Sequence, residues 1–251
     1  MWEEELKFAD ELADRADEIG MGFFQGEFEV TRKADHTPVT EADLAIEAMV
    51  REMLGERFPD DAILGEEDGM QGESDRVWVI DPIDGTKNFA DGIQIWASLI
   101  SLRVDDRPVV GVVSAPALGE RYRAASGLGA TLNDEPIHVS DEDKLRHAFL
   151  AHGGLWDWLE GPRRDQFLGV IGSVRRTRGL GDFWGHMLVA RGAVDIMLEA
   201  ELRVWDTSAV QVVVEESGGR MTTLEGRALS DHSSALSTNG ILHDELTARF
   251  I

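Results

Sequence analysis

Apolar positions recur along this chain in two rhythms. Over residues 2–20, Trp2, Leu6, Ala9, Leu12, Ala13, Ala16 and Ile19 share one stripe with charges between them, which predicts an amphipathic helix. The stripe returns at Leu44, Ile46, Met49, Val50, Met53 and Leu54, in a second helix opening after Thr40. Runs of β-prone residues predict strands at 62–64, 77–80, 96–102, 109–113, 121–124 and 137–139, separated by turns such as Asp105-Asp106-Arg107-Pro108 and Asn133-Asp134. These strands make a large, mostly antiparallel sheet. Phe28 and Val30 read as extended, and Lys33 to Thr37 as a polar loop. Beyond Ser140 the rhythms mix, with strands near 148–150, 193–198, 202–205, 221–223 and 235–238 and helices at 156–170, from Asp182, at 207–217 and at 241–250. The expected architecture is an α/β layered sandwich, with residues 1–138 giving a helix pair on the large sheet and residues 139–251 a smaller α/β half.

The chemistry lies where apolar strands stop. Val77-Trp78-Val79-Ile80 runs into Asp81-Pro82-Ile83-Asp84-Gly85-Thr86, so two carboxylates crowd one strand end and repel unless something neutralises them. Mg²⁺, a hard cation with oxygen ligands, does that; a solvated acidic turn is the alternative. Glu66 follows Ala62-Ile63-Leu64-Gly65, Glu199 follows Ile196-Met197-Leu198, and Asp206 follows Val204-Trp205. Glu66, Asp81, Asp84 and Asp206 thus share one placement, which suits acids gathered around metal ions. Asp43 lies three residues after Thr40, where it either closes a capping box or faces that site. Asp182 reads as a helix N-cap or a pocket acid.

The 251 residues carry 48 acidic against 24 basic side chains, a formal charge of -24, which weighs against nucleic acid and anionic membranes as partners. With no cysteine there is no thiolate chemistry and no Cys-zinc site. No apolar run reaches the roughly 20 residues of a membrane span, so a cytoplasmic location is expected. His138, His152 and His186 show no zinc-ligand spacing, and Trp78, Trp96, Trp184 and Trp205 read as core or pocket wall.

Gly65-Glu66-Glu67, Asp81-Pro82-Ile83-Asp84-Gly85-Thr86 and Trp205-Asp206, with Val39-Thr40-Glu41-Ala42-Asp43 upstream, resemble the signature set of the inositol monophosphatase family of magnesium-dependent phosphatases. Within it, Glu11 to Asp17, Thr37-Pro38-Val39-Thr40, Trp96 to Ile100, Gly111 to Leu118, Gly181-Asp182-Phe183 and Thr238 to Glu245 resemble bacterial histidinol-phosphate phosphatases. The resemblance implies the inositol-monophosphatase/fructose-bisphosphatase-like fold and two or three Mg²⁺ ions. Glu66, Asp81 and the Ile83 carbonyl would hold one ion, and Asp81, Asp84 and Asp206 a second. Asp43 and Thr86, with Glu66, would serve the attacking water, and the Gly85 and Thr86 amides would grip phosphate. Asp84, Asp182, Glu199 and Asp206 would meet the substrate, with Glu201 a further candidate, and Lys33 and Asp35 would belong to a lid. It also implies a homodimer acting on a small phosphate monoester. Rival substrates are an inositol monophosphate, a sugar bisphosphate or adenosine 3′,5′-bisphosphate; a non-enzymatic rival is a transcription-complex binding protein on the same fold.

Overall fold

A computed structural model describes residues 1–24, 26, 30–32 and 38–251. Helix α1 (Glu3–Phe24) buries Ala9, Leu12, Ala13 and Ala16 of the predicted stripe together with Phe8, and opens on Glu3, Glu4 and Glu5, whose charges favour a helix N-terminus. A two-stranded ribbon, β1 (Val30–Arg32) and β2 (Pro38–Thr40), leads into α2 (Glu41–Arg57), which buries Ala42, Ile46, Val50 and Leu54. The expected extension at Phe28 and the lid residues Lys33 and Asp35 lie outside the described residues.

Eight strands follow: β3 (Ala62–Gly65), β4 (Gly69–Gln71), β5 (Arg76–Asp84), β6 (Ala97–Val104), β7 (Arg107–Ala115), β8 (Glu120–Ala125), β9 (Gly129–Leu132) and β10 (Glu135–Pro136), with the short helix α3 (Thr86–Ala90) after β5. They form one sheet in the order β10-β9-β8-β7-β6-β5-β3-β4, antiparallel except where β3 runs parallel to β5. The mostly antiparallel sheet of the sequence reading is therefore present. Strand β11 (Phe149–His152), helices α4 (Leu155–Glu160) and α5 (Arg164–Ile171), strand β12 (Arg176–Gly179), helix α6 (Asp182–Ala190), strand β13 (Ile196–Leu202), helix α7 (Val204–Glu216), strands β14 (Arg220–Thr222) and β15 (Ser233–Thr238), and helix α8 (His243–Thr247) complete the chain. Their five strands form a second sheet, β12-β11-β13-β15-β14, parallel at β12-β11-β13 and antiparallel beyond.

The layers stack helix, sheet, helix, sheet, helix. α1 and α2 cover one face of the large sheet, burying Trp78, Ile80, Trp96 and Ile100. Its other face, with Leu99, Val113 and Tyr122, packs on Phe183 and Met187 of α6 and Val210 and Val213 of α7. The far face of the second sheet, with Leu150, Leu198 and Leu236, takes Trp158, Phe167 and Leu246 from α4, α5 and α8.

Five sequence expectations move. The strand expected at 137–139 lies instead at Glu135–Pro136, and the one expected at 202–205 gives way to the start of α7 at Val204. Strand β5 does not stop at Ile80 but runs through both acids to Asp84, and β13 runs past Glu199 to Leu202. The single helix expected at 156–170 is two, because Gly161-Pro162 interrupts it: Pro162 has no N–H to donate and disfavours helix in the residue before it.

The N-terminal acids have a structural role of their own. Arg121 of β8 reaches Asp10, Asp14 and Asp17 of α1 at 2.5, 3.1 and 2.6 Å, and Ser114 of β7 donates to Asp17. This network ties the first helix to the sheet. Burial outweighs Arg121 at Asp17 and holds its carboxyl above the usual range.

Candidate active site

The two central acids face one place because β5 carries a bulge. Residues three apart in a regular strand point to opposite faces, but Asp81 pairs with Leu99 and Asp84 with Ala97, so three steps on β5 meet two on β6. The extra residue turns Asp84 back to the face of Asp81. Gly85 then takes φ of +84°, a left-handed conformation that suits glycine, and starts α3. A hydroxyl follows at once: Thr86 Oγ1 donates to the Ile83 carbonyl at 2.9 Å, and Ser98 Oγ holds the Pro82 carbonyl at 2.7 Å.

Glu66 comes from the turn after β3, with its N–H on the Ile80 carbonyl at 3.2 Å. A residue that the sequence reading passed over builds that turn. Glu47, on α2 and almost fully buried, accepts from the Glu67 and Asp68 amides at 2.8 and 2.9 Å and from Arg51 at 2.7 Å. Gly65 makes the space, since a Cβ there would lie 2.1 Å from Glu47 Oε1. Nothing in the local pattern distinguishes Glu47 from a solvent-facing helix glutamate.

Asp206 stands in the first turn of α7, not at a strand end, and accepts from the Arg203 amide at 2.8 Å. Single carboxylate oxygens of Asp81, Asp84 and Asp206 all lie within 4.8 Å of one another. Glu66 lines the same pocket of about 240 Å³ with Ile83, Gly85, Thr86 and Asp182, but stands outside that tightest group of three. Asp43 is buried and does close the capping box, taking the Thr40 amide at 2.8 Å and the Thr40 hydroxyl at 2.5 Å on Oδ2. Its charge is still felt at Asp81. The capping reading is thus realised, while Asp43 is not among the residues lining the acidic pocket.

Electrostatics mark the cluster. Burial, then Glu66, Asp84 and Asp206, push the Asp81 carboxyl well above its usual range; burial, then Asp182 and Asp206, do the same to Asp84. Asp206 is pushed up to about 7, chiefly by burial. Asp81 Oδ1 is buried with no hydrogen-bond partner among the described residues. An oxygen-only donor set, mutually repelling and with an unsatisfied buried oxygen, fits a hard divalent cation.

The second-half acids adjoin this cluster. Asp182 does not cap α6: its own φ is +55°, its Oδ2 takes Asn88 Nδ2 at 3.3 Å, and the Phe183 amide donates to Asp84 at 2.7 Å. The first two amides of α6 are thus spent on Glu199 and Asp84. Glu199 is buried, hydrogen-bonded by the Asp182 backbone, with its carboxyl raised well above the usual range mainly by burial. Glu201 is exposed and 3.0 Å from His232. Asp182, Glu199 and Glu201 line a cavity of about 580 Å³ that shares Lys87, Asn88 and Asp182 with the acidic pocket. His186 is buried against Ser237, away from this pocket, and Trp78 and Trp96 are core.

The model of the inositol monophosphatase family matches residues 1–250. The chain belongs to that family. Its members are metal-dependent phosphatases of small phosphate esters, so the enzyme is a phosphoric monoester hydrolase. Two similar relatives are the histidinol-phosphatase of Mycobacterium tuberculosis, 45% identical over 99% of this chain and 98% of the relative, and that of Streptomyces coelicolor, 44% identical over 97% and 95%. A solved inositol monophosphatase from Anabaena (Nostoc) sp. PCC 7120 superposes with a TM-score of 0.86 at 33% identity, over 98% of this chain and 94% of that one. This inositol monophosphatase-family chain has no helix, among the described residues, long and apolar enough to cross a membrane.

Proposed function

We propose that the chain is a magnesium-dependent phosphomonoesterase that hydrolyses L-histidinol phosphate to L-histidinol and inorganic phosphate, a step of histidine biosynthesis. One observation carries the substrate: beside the metal-type acids, the cavity holds the buried Glu199 and, next to it, Asp182, a wall suited to an ammonium and an imidazole. The histidinol-phosphatase names of the two relatives support the same reading.

Glu66, Asp81 and the Ile83 carbonyl are assigned to one Mg²⁺, and Asp81, Asp84 and Asp206 to a second, with Glu66 adjoining a third. When bound, the ions supply positive charge that offsets the crowded carboxylates and stabilises charge on the transferring phosphoryl group. The Thr86 hydroxyl gives its hydrogen to the Ile83 carbonyl, so its lone pairs are left to accept from the attacking water. Asp43 is assigned the water's proton, because α3 packs beside β2, which leads to Asp43. The Gly85 and Thr86 amides, at the start of α3, orient the phosphate oxygens. Water oxygen bonds to phosphorus as the opposite ester P–O bond breaks, and the leaving alkoxide takes a proton to become L-histidinol. The site lies between halves 1–138 and 139–251 of a cytoplasmic homodimer.

The test is phosphate release from L-histidinol phosphate and inositol 1-phosphate in parallel, with Mg²⁺ and with chelator. A Mg²⁺-dependent preference for L-histidinol phosphate is expected. Preference for inositol 1-phosphate would keep the phosphatase and replace its substrate, a second reading that the Anabaena structure favours.

A further inference from the structure

Beyond Asp182 and Glu199, the cleft carries another carboxylate. Asp157, on α4, lines both the 580 Å³ cavity and an adjoining one of about 540 Å³ that reaches Asp206. Two successive glycines admit the acids: a Cβ on Gly153 would lie 1.7 Å from Glu199 Oε2, and one on Gly154 would lie 2.2 Å from Asp157 Oδ2. No ion pair or side-chain hydrogen bond engages Asp157 among the described residues, and it adds to the charge that burial already makes costly at Glu199. Against Asp157, Asp182, Glu199 and Glu201, the cavity wall among the described residues offers only Lys87 as a formal cation. Such a wall favours a ligand with more than one cationic or hydrogen-donating group.

We infer that Asp157 is the specificity-determining carboxylate for the ring end of the substrate, accepting a hydrogen bond from the imidazole while Asp182 and Glu199 meet the ammonium. The order follows from connectivity. In L-histidinol phosphate the ammonium carbon is one methylene from the ester oxygen, and the ring is one methylene further from that carbon. Asp182 is shared with the phosphate-side pocket, whereas Asp157 is absent from that pocket. Ile93, Ile95 and Trp184 line the same cavity and supply apolar surface for the ring. This inference rests on the histidinol-phosphate reading.

O-Phosphoethanolamine has the phosphate and ammonium but no ring, so it separates the two ends. Asp157→Asn is expected to lower the ratio of kcat/KM for L-histidinol phosphate to that for O-phosphoethanolamine roughly ten-fold, mainly through KM, the size of one hydrogen bond to a charged group. Asp157→Glu, which keeps the charge, should restore most of the ratio. A structural effect would lower both substrates together, and that outcome, or an unchanged ratio, overturns the assignment of Asp157. Wild-type enzyme without preference for L-histidinol phosphate over inositol 1-phosphate overturns the substrate reading itself, and this inference with it.

Discussion

Asp84 has more demands on it than any other residue of the site. It sits within reach of Asp81 and Asp206, accepts the Phe183 amide in the first turn of α6, and is buried. Asp84→Asn removes a ligand charge at nearly constant volume, so it should lower kcat by more than about 100-fold, beyond the 10–100-fold typical of residues that only support ligands. Circular dichroism should show the fold retained; near-wild-type turnover would sink the metal assignment. The cluster also sets a pH dependence for the metal-free protein. Because folding raises the carboxyls of Asp81, Asp84 and Asp206, the last from an ordinary 3.8 to about 7, the folded state binds more protons than the unfolded chain between those values. The contribution of Asp206 is therefore complete below about pH 4 and is lost as pH rises through about 7, and the raised carboxyls of Asp81 and Asp84 act in the same direction. In chelator the melting temperature should fall from pH 5 to pH 8, and Mg²⁺ should raise it more at pH 8 than at pH 5. A flat or rising profile in chelator would contradict this. These acids were legible in the sequence, since each follows an apolar run. Glu47 was not, because its partners are amides twenty residues away in the chain.

At the scale of elements, the support of Glu66 depends on α2 as much as on β3. Glu47→Ala leaves two turn amides without their acceptor and Arg51 with only the Gly69 carbonyl and Gln71, and breaking such a buried pair typically costs about 3–5 kcal/mol. Urea unfolding should show that loss, and the Mg²⁺ concentration for half-maximal activity should rise; an unchanged unfolding midpoint would remove Glu47 from its role. The helices, the large sheet and the Thr40–Asp43 cap were readable because 3.6- and 2-residue rhythms and capping chemistry are local. The β5 bulge was not, because a shift in register is defined only against the neighbouring strand. The Gly161-Pro162 break carried a local signal that the apolar stripe on either side masked.

At the scale of the whole molecule, a formal charge of -24 opposes compaction, most strongly when little salt screens it. Between 0.01 and 0.15 M ionic strength the Debye length shrinks from about 30 to about 8 Å. The melting temperature should rise over that range in NaCl, and a fall would show that the attractive networks, such as that of Arg121, dominate. Both layers flanking the site were foreseeable from composition and rhythm; their stacking was not, because it rests on contacts between distant segments.

That stacking orders events in time. α7 lies on β5, β6, β7 and β8, yet it is strung between β13 and β14 of the other sheet, and it alone brings Asp206 to the acids of β5. A nascent chain that has formed only its first sheet can bury Trp78 and Trp96 but holds an incomplete set of carboxylates. On refolding, recovery of phosphatase activity should lag burial of Trp78 and Trp96, so catalysis begins only once α7 has docked on the first sheet.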